Sequence, residues 1–411
     1  MSLKFRFFNK IRLIETSLAI FTFLASIVAA EVFFRMNETH HWISEHTRSR
    51  ILSSVRSTQT GVRTISFEEL KKKYPGLAQK IPDRFQSEND YPWNEKFENP
   101  RNPRTVYSDN YLQTYYDPSA RANKTYEISR LVDTERGEKI AYKTFMTFDE
   151  FGARKVPEKK IDADAKHVLT IGCSFTVGEG VNFGKDYPGQ LSQKIGSHWS
   201  VHNFGFNGYG PADFYHSIVN HEDSLKFLKD KDVTVIWLLY PFQFERSFCS
   251  LRCLSAPTSS WIYPKPFYKF DESKNEVVYQ GDFETTGAFP ISFARFLSNS
   301  SILRFFGVDF PLWQSEAASA ETAEYIFASI KRRLERTMRV SRFVVVNMQS
   351  NKESELLGPS LKKHDIQYLD YAGYDPLAAV SERKTIPYDG HPTPEYYWAL
   401  TELLKQDLFQ E

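Results

Sequence analysis

Residues 168–184 read VLTIGCSFTVGEGVNFG. A short apolar run, Val168, Leu169, Thr170 and Ile171, breaks at Gly172 and is followed almost at once by Ser174. Branched and leucine side chains in an unbroken run predict a buried strand, and the small residues behind it let the chain turn sharply. The stretch therefore presents a hydroxyl at the end of a strand. A serine so placed becomes a candidate nucleophile if the chain supplies a base to take its proton.

Beyond residue 165 the pattern is regular. A helix is predicted over 187–195, where Asp186 can cap and Pro188 suits the first turn. VHNFGFNGYGPADF (201–214) reads as a short strand entering a turn with Gly205, Gly208 and Gly210, then a helix carrying Ile218 and Val219. VTVIWLLY (233–240) and FVVVNMQS (343–350) read as strands, with a helix at 323–338 ahead of the second and a short strand at 366–369 after it. Strands alternating with helices predict an α/β fold with a parallel sheet covered on both faces. Sites in such sheets lie at the carboxyl ends of strands, where Ser174 and the glycine turn both fall. The segment 248–315 interrupts the alternation and reads as an insertion, whose Trp261, Tyr263, Phe267, Tyr268 and Trp313 either shape substrate access or simply pack.

The last feature is YDGHPTPEYYWALTELLKQDL (388–408). Asp389, Gly390 and His391 lie in a turn before a helix with an apolar stripe of Tyr397, Leu400, Leu403 and Leu404, which is a sound way to hold a base in place. A lone histidine in a turn is most often structural; here it stands third in a series. GCSFTVGEGV (172–181), NFGFNGYGP (203–211) and DGHP (389–392) together resemble, in order and spacing, the SGNH hydrolase superfamily, also called GDSL-type esterases, over about residues 165–411.

That resemblance implies a three-layer α/β/α sandwich and acyl-ester chemistry without a cofactor or metal. Ser174 would attack the acyl carbon, His391 would take its proton and later pass one to the leaving alcohol, and Asp389 would orient the ring. The oxyanion would be met by the backbone N–H groups of Ser174 and Gly208, each such donor contributing about 3 kcal/mol of transition-state stabilisation. Three departures stand out. Cys173 replaces the aspartate usual before the serine. After the strand at Val233 the chain reads YPFQFERSF (240–248), without the family's asparagine, so Gln243 is the amide left to serve as third oxyanion donor. Tyr388 takes the place of the usual acid, three residues before the histidine, which leaves Asp389, another residue such as Asp375, or a serine-histidine dyad. The expected activity is an esterase, or an acyl transferase moving a group such as acetyl, on an O-acylated carbohydrate or lipid. The alternative is a catalytically weakened relative serving as a binding or assembly module in envelope polysaccharide processing. A metal hydrolase is disfavoured, since the 10 histidines include no H-E-x-x-H spacing.

Composition limits the partners. With 411 residues and 41% hydrophobic content the chain can bury a large core. Lys and Arg (52) nearly cancel Asp and Glu (51), so nucleic acid is not an expected partner. The 34 Phe and 22 Tyr either fill cores or line a groove for sugars or lipids. At the amino terminus Lys4, Arg6, Lys10 and Arg12 precede an uncharged run from Thr16 to Ala30 that is bracketed by Glu15 and Glu31. The run is shorter than the roughly 20 residues of a spanning helix, but Leu13, Ile14, Val32, Phe33 and Phe34 extend it. It reads as a single-pass membrane anchor or as a cleaved signal peptide, with Val28, Ala29 and Ala30 near the cleavage point. Either way the basic flank stays cytoplasmic and the chain beyond about residue 35 is extracytoplasmic or periplasmic. In that compartment Cys249 and Cys253 would close a small loop, with Cys173 left beside the serine. The expected organisation is thus an anchor or signal over 1–35, a membrane-proximal region over 36–164, and the hydrolase-like domain over 165–411. The middle region holds a helical fragment near 67–74, the proline-rich 90–110 and a hairpin-like stretch at 144–154, and its function is not legible.

Overall fold

The computed structural model describes residues 26–33, 67–78, 91, 97, 100–108, 111–114, 116–251, 265–283, 291–306, 308, 312, 314–373 and 384–410. Among these, β1 (Arg101–Tyr107), β2 (Thr125–Thr134) and β3 (Gly137–Thr147) form an antiparallel sheet in the order β1-β2-β3. A second sheet contains β4 (Lys166–Gly172), β5 (Trp199–Gly205) and β6 (Asp232–Leu239), and β7 (Pro266–Asp271) and β8 (Glu276–Asp282) make a hairpin. β9 (Arg339–Asn347) and β10 (Gln367–Asp370) complete the second sheet, which runs β10-β9-β6-β4-β5 with every pair parallel. The α/β parallel-sheet expectation is met, each predicted strand falling within or overlapping an observed one.

Residues 168–171 of β4 and 233–239 of β6 are buried throughout, as strands covered on both faces must be. The strand order fixes which helices cover which face. From β4 the chain steps outward to β5, then crosses back to β6 and continues through β9 to β10. Right-handed crossovers therefore place the helix Tyr187–Lys194 on one face and the helices Pro211–Asn220, Glu316–Leu334 and Lys352–Leu361 on the other. The packing agrees: Glu316–Leu334 lies against Pro211–Asn220 and Lys352–Leu361, and the last helix, Pro394–Leu408, packs on Tyr187–Lys194. The direction of winding reverses between the neighbours β4 and β6, whose following helices leave to opposite faces, and this opens a crevice at their carboxyl ends.

The hairpin-like stretch at 144–154 is observed, with 144–147 in β3 and an antiparallel bridge between Phe148 and Arg154, but the rest of the antiparallel sheet is not legible in the sequence, for local reasons. β2 alternates Tyr126, Ile128 and Val132 inward, but Arg130 stands where the next apolar residue belongs. β1 carries Pro103, which an edge strand tolerates because its outer N–H needs no partner, and a bulge lies between Arg101 and Arg104. Composition alone made this stretch look like loop.

The chain forms two compact units. One spans 62–248, 263–286 and 313–411, so the antiparallel and parallel sheets share it. The expected insertion is built in part by the β7–β8 hairpin, in which Phe267 and Tyr268 are buried and pack, Phe267 on Phe283 at 5.2 Å and Tyr268 on Tyr215 at 5.2 Å. Trp261, Tyr263, Trp313 and Cys253 lie outside the described residues. The other unit spans 1–61, 249–262 and 287–312. Within it Glu31, on a helix over 26–33, accepts from Ser300 Oγ at 2.8 Å and from the Ser301 and Ile302 N–H groups at 2.6 and 3.3 Å, capping the helix Ser301–Phe305. No helix among the described residues is long and apolar enough to cross a membrane. Most of the expected anchor lies outside them.

Candidate active site

Gly172 ends β4 at φ +151°, a conformation that favours glycine, and a Cβ there would lie 2.3 Å from Thr176 Oγ1. Cys173 then stands in extended conformation as the cap of a four-residue helix, Ser174–Val177. Ser174 is 2% exposed, and its hydroxyl makes no hydrogen bond among the described residues. The helix closes at Gly178 (φ +80°), where the N–H groups of Gly178 and Glu179 both reach the Ser174 carbonyl at 2.9 Å. Buried Arg154 fixes this exit by donating to the carbonyls of Val177, Gly178 and Val181 at 2.5 to 2.7 Å.

β5 delivers the glycine turn to the same place. Phe206 N–H bonds the Gly172 carbonyl at 3.0 Å, which extends the β4–β5 pairing past the strands and brings Asn207 and Gly208 to the crevice. Gly208 has φ +79°, and its carbonyl accepts from Lys265 Nζ at 2.8 Å. Lys265 is itself buried and paired with Asp213 at 2.6 Å.

The third motif forms a tight hairpin. Ile386 N–H bonds the His391 carbonyl at 2.8 Å, Gly390 turns at φ +90°, and Thr393 caps the helix Pro394–Leu408. Asp389 Oδ2 accepts from His391 Nδ1–H at 2.8 Å, so Asp389 is the ring's acid partner although it stands only two residues away. Tyr388 takes a left-handed conformation, φ +62°, stacks on Phe97 at 4.7 Å and accepts from its N–H at 3.1 Å. Asp375 lies outside the described residues. Phe175, next to Ser174, meets the His391 ring edge-on at 5.2 Å, which sets the histidine beside the serine's helix.

Gln243 requires a correction. It is fully buried in the helix Pro241–Phe248, its Nε2 donates to the Leu238 carbonyl at 2.9 Å, and its Oε1 accepts from Trp237 Nε1 at 2.8 Å. The amide is committed to the end of β6 and does not act as third oxyanion donor, because turning it out would strand a buried indole N–H.

Several residues at the site carry no signature in the sequence. The antiparallel sheet contributes one side chain per strand. From β3, Tyr142 OH donates to Asp389 Oδ2 at 2.8 Å. From β2, Arg130 lies 3.6 Å from Asp389 Oδ1 and donates to the Tyr388 carbonyl at 2.8 Å. From β1, Tyr107 OH donates to Glu179 Oε1 at 2.8 Å. Glu179 Oε2 also accepts from Asn207 Nδ2 and lies 3.5 Å from His391 Nε2. Asn207 Oδ1 in turn accepts from Tyr111 OH at 2.5 Å. The carboxylate in GEGV could have been noticed as a buried acid one turn after the serine; the tyrosines and arginine could not.

Charge follows geometry. Burial pushes the Asp389 carboxyl up, but the His391 charge and hydrogen bond, Arg130 and the Tyr142 hydroxyl together hold it below the usual carboxylate value. Burial pushes His391 down, and the two flanking carboxylates outweigh it, so the imidazole titrates above its usual value.

No family model matches the chain, and no curated protein does. Among solved structures it is similar to a member of the lipolytic protein G-D-S-L family from Veillonella parvula, at 11% identity and TM-score 0.32, covering 60% of this chain and 98% of that one. It is similar to a carbohydrate acetylesterase family member from Sinorhizobium meliloti at 14% identity and TM-score 0.31, covering 59% and 97%. An acetyl xylan esterase from the rumen bacterium Butyrivibrio proteoclasticus shares 10% identity at TM-score 0.33, covering 69% and 74%. Likeness of this degree carries no argument about activity, and the fold described above rests on the chain's own topology.

Proposed function

We propose that this chain is a serine esterase or acyl transferase of the SGNH type, acting on an O-acylated carbohydrate or lipid. The observation that carries the reading is the Asp389–His391 hydrogen bond, made in a turn whose histidine packs on the residue next to Ser174. In this mechanism Ser174 Oγ bonds to the acyl carbon while its proton passes to His391 Nε2, and the carbonyl electrons move onto oxygen. The backbone N–H groups of Ser174 and Gly208 stabilise that oxyanion. Collapse breaks the bond to the alcohol, which leaves with the proton from His391. Water or an acceptor hydroxyl then attacks the acyl-serine with His391 as base, giving hydrolysis or transfer. Replacement of Ser174 by Ala should abolish turnover of an aryl acetate, and an unchanged rate in the variant removes the serine from the mechanism.

A weakened binding or assembly module is the second reading, favoured by the commitment of Gln243 to the core. Labelling with a fluorophosphonate separates the two, since a module without an activated serine stays unlabelled. The proposed location is extracytoplasmic, with the chain held to the membrane by its amino-terminal segment. Chain lacking residues 1–35 should then move from the membrane fraction to the soluble one, and recovery of both forms in the soluble fraction would count against an anchor.

A further inference from the structure

His391 has a carboxylate on each side. Its Nδ1–H is given to Asp389 Oδ2 at 2.8 Å, so in a neutral ring Nε2 carries only a lone pair. That lone pair would face Glu179 Oε2 at 3.5 Å, and two acceptors held at this separation need a proton between them. Glu179 accepts from the Tyr107 hydroxyl at Oε1 and from the Asn207 amide at Oε2, so both of its oxygens already serve as acceptors. The proton therefore belongs to the imidazole. Ser174 offers no competing contact, since its hydroxyl makes no hydrogen bond among the described residues.

We propose that Glu179 is a positioning residue of this site, a second carboxylate that holds the imidazolium form of His391 at Nε2, so that Ser174 is activated only once that proton has left. The activation clause rests on the esterase reading; the pairing of Glu179 with His391 does not. The charged and titratable groups around the ring are Asp389 in its own turn, Glu179 after the serine helix and Arg246 on the helix Pro241–Phe248. Arg130 on β2, Tyr142 on β3 and Tyr107 on β1 act through the two carboxylates. Glu179 is 1% exposed, so solvent screens this pairing little.

The test is an NMR titration of His391 in the full chain, labelled with nitrogen-15 at histidine and held in detergent. The wild-type ring should titrate above the usual value of about 6.5. Ser174→Ala should leave the midpoint in place, and Glu179→Gln should lower it by roughly one unit. The acid limb of kcat/KM for an aryl acetate should move down with it in Glu179→Gln. A wild-type midpoint at or below 6.5, or an unmoved midpoint in Glu179→Gln, overturns the proposal. If Glu179→Gln does not fold, the Ser174→Ala titration still decides, because a shift there would make the serine, not Glu179, the partner of Nε2. A chain that turns over no ester but shows these titrations keeps the pairing and loses only the esterase reading.

Discussion

Asp389 concentrates the electrostatics of the site in one buried carboxyl group that receives His391, Tyr142 and Arg130. Its value is depressed in the fold, so its contribution to stability is complete above the unfolded carboxylate value, about 3.9, and is lost as pH falls through the lower folded value. His391 is raised, so its contribution is complete below the unfolded imidazole value, about 6.5, and is lost as pH rises through the folded value. Stability from the pair should therefore peak between these limits. Urea midpoints measured across that range should show the acid limb flattened in Asp389→Asn. An acid limb as steep as wild type would mean that Asp389 is not what acid titrates. The same substitution should lower kcat by up to about 10⁴-fold, the cost of losing the orienting acid in a serine-histidine site.

The serine's helix is short, and the strand beside it sets its position. β5 approaches so closely at Gly205 that a Cβ there would lie 2.2 Å from the Val177 nitrogen and 2.8 Å from the Thr176 carbonyl carbon. Both contacts are backbone, so Gly205→Ala must push the helix Ser174–Val177 away from the sheet. Overpacking of this kind costs about 1–3 kcal/mol. The variant should unfold earlier on heating and lose esterase rate, while its His391 NMR titration, set by Asp389 and Glu179, stays near wild type. Equal rates in Gly205→Ala and wild type would show that the serine's position tolerates movement. Lys265 plays the matching part on the glycine turn, gripping the Gly208 carbonyl from a buried pair with Asp213.

At the scale of the whole molecule, the site is completed by a sheet distant from it in sequence. Tyr107, Arg130 and Tyr142 come from three successive antiparallel strands and meet Glu179 and Asp389. Tyr111, between β1 and β2, stacks on Phe206 at 5.1 Å and bonds Asn207. A fragment beginning at residue 165 would uncover Phe206, on which Tyr111 stacks and over which Arg121 lies, and leave Asp389 without two of its three partners. It should be poorly soluble or inactive when expressed alone, whereas co-expression with residues 62–164 should restore some activity. Wild-type activity from the fragment alone would assign the antiparallel sheet no part in the site.

The sequence by itself determined the alternation of strands and helices, the serine after β4, the glycine turn after β5 and the histidine ahead of the last helix. These are legible because periodicity, turn residues and caps act within a few positions along the chain. Tertiary structure alone decided that Asp389 and not a residue at the usual spacing partners His391, since a left-handed Tyr388 pinned by Phe97 and Arg130 sets the turn. It alone decided that Gln243 serves the core, because the indole of Trp237 needed an acceptor there. It also set Glu179 against Nε2 of His391, a contact made across more than two hundred residues of chain. Hydrogen bonds and charge pairs of this kind depend on which surfaces pack together, and neither residue type nor spacing records that.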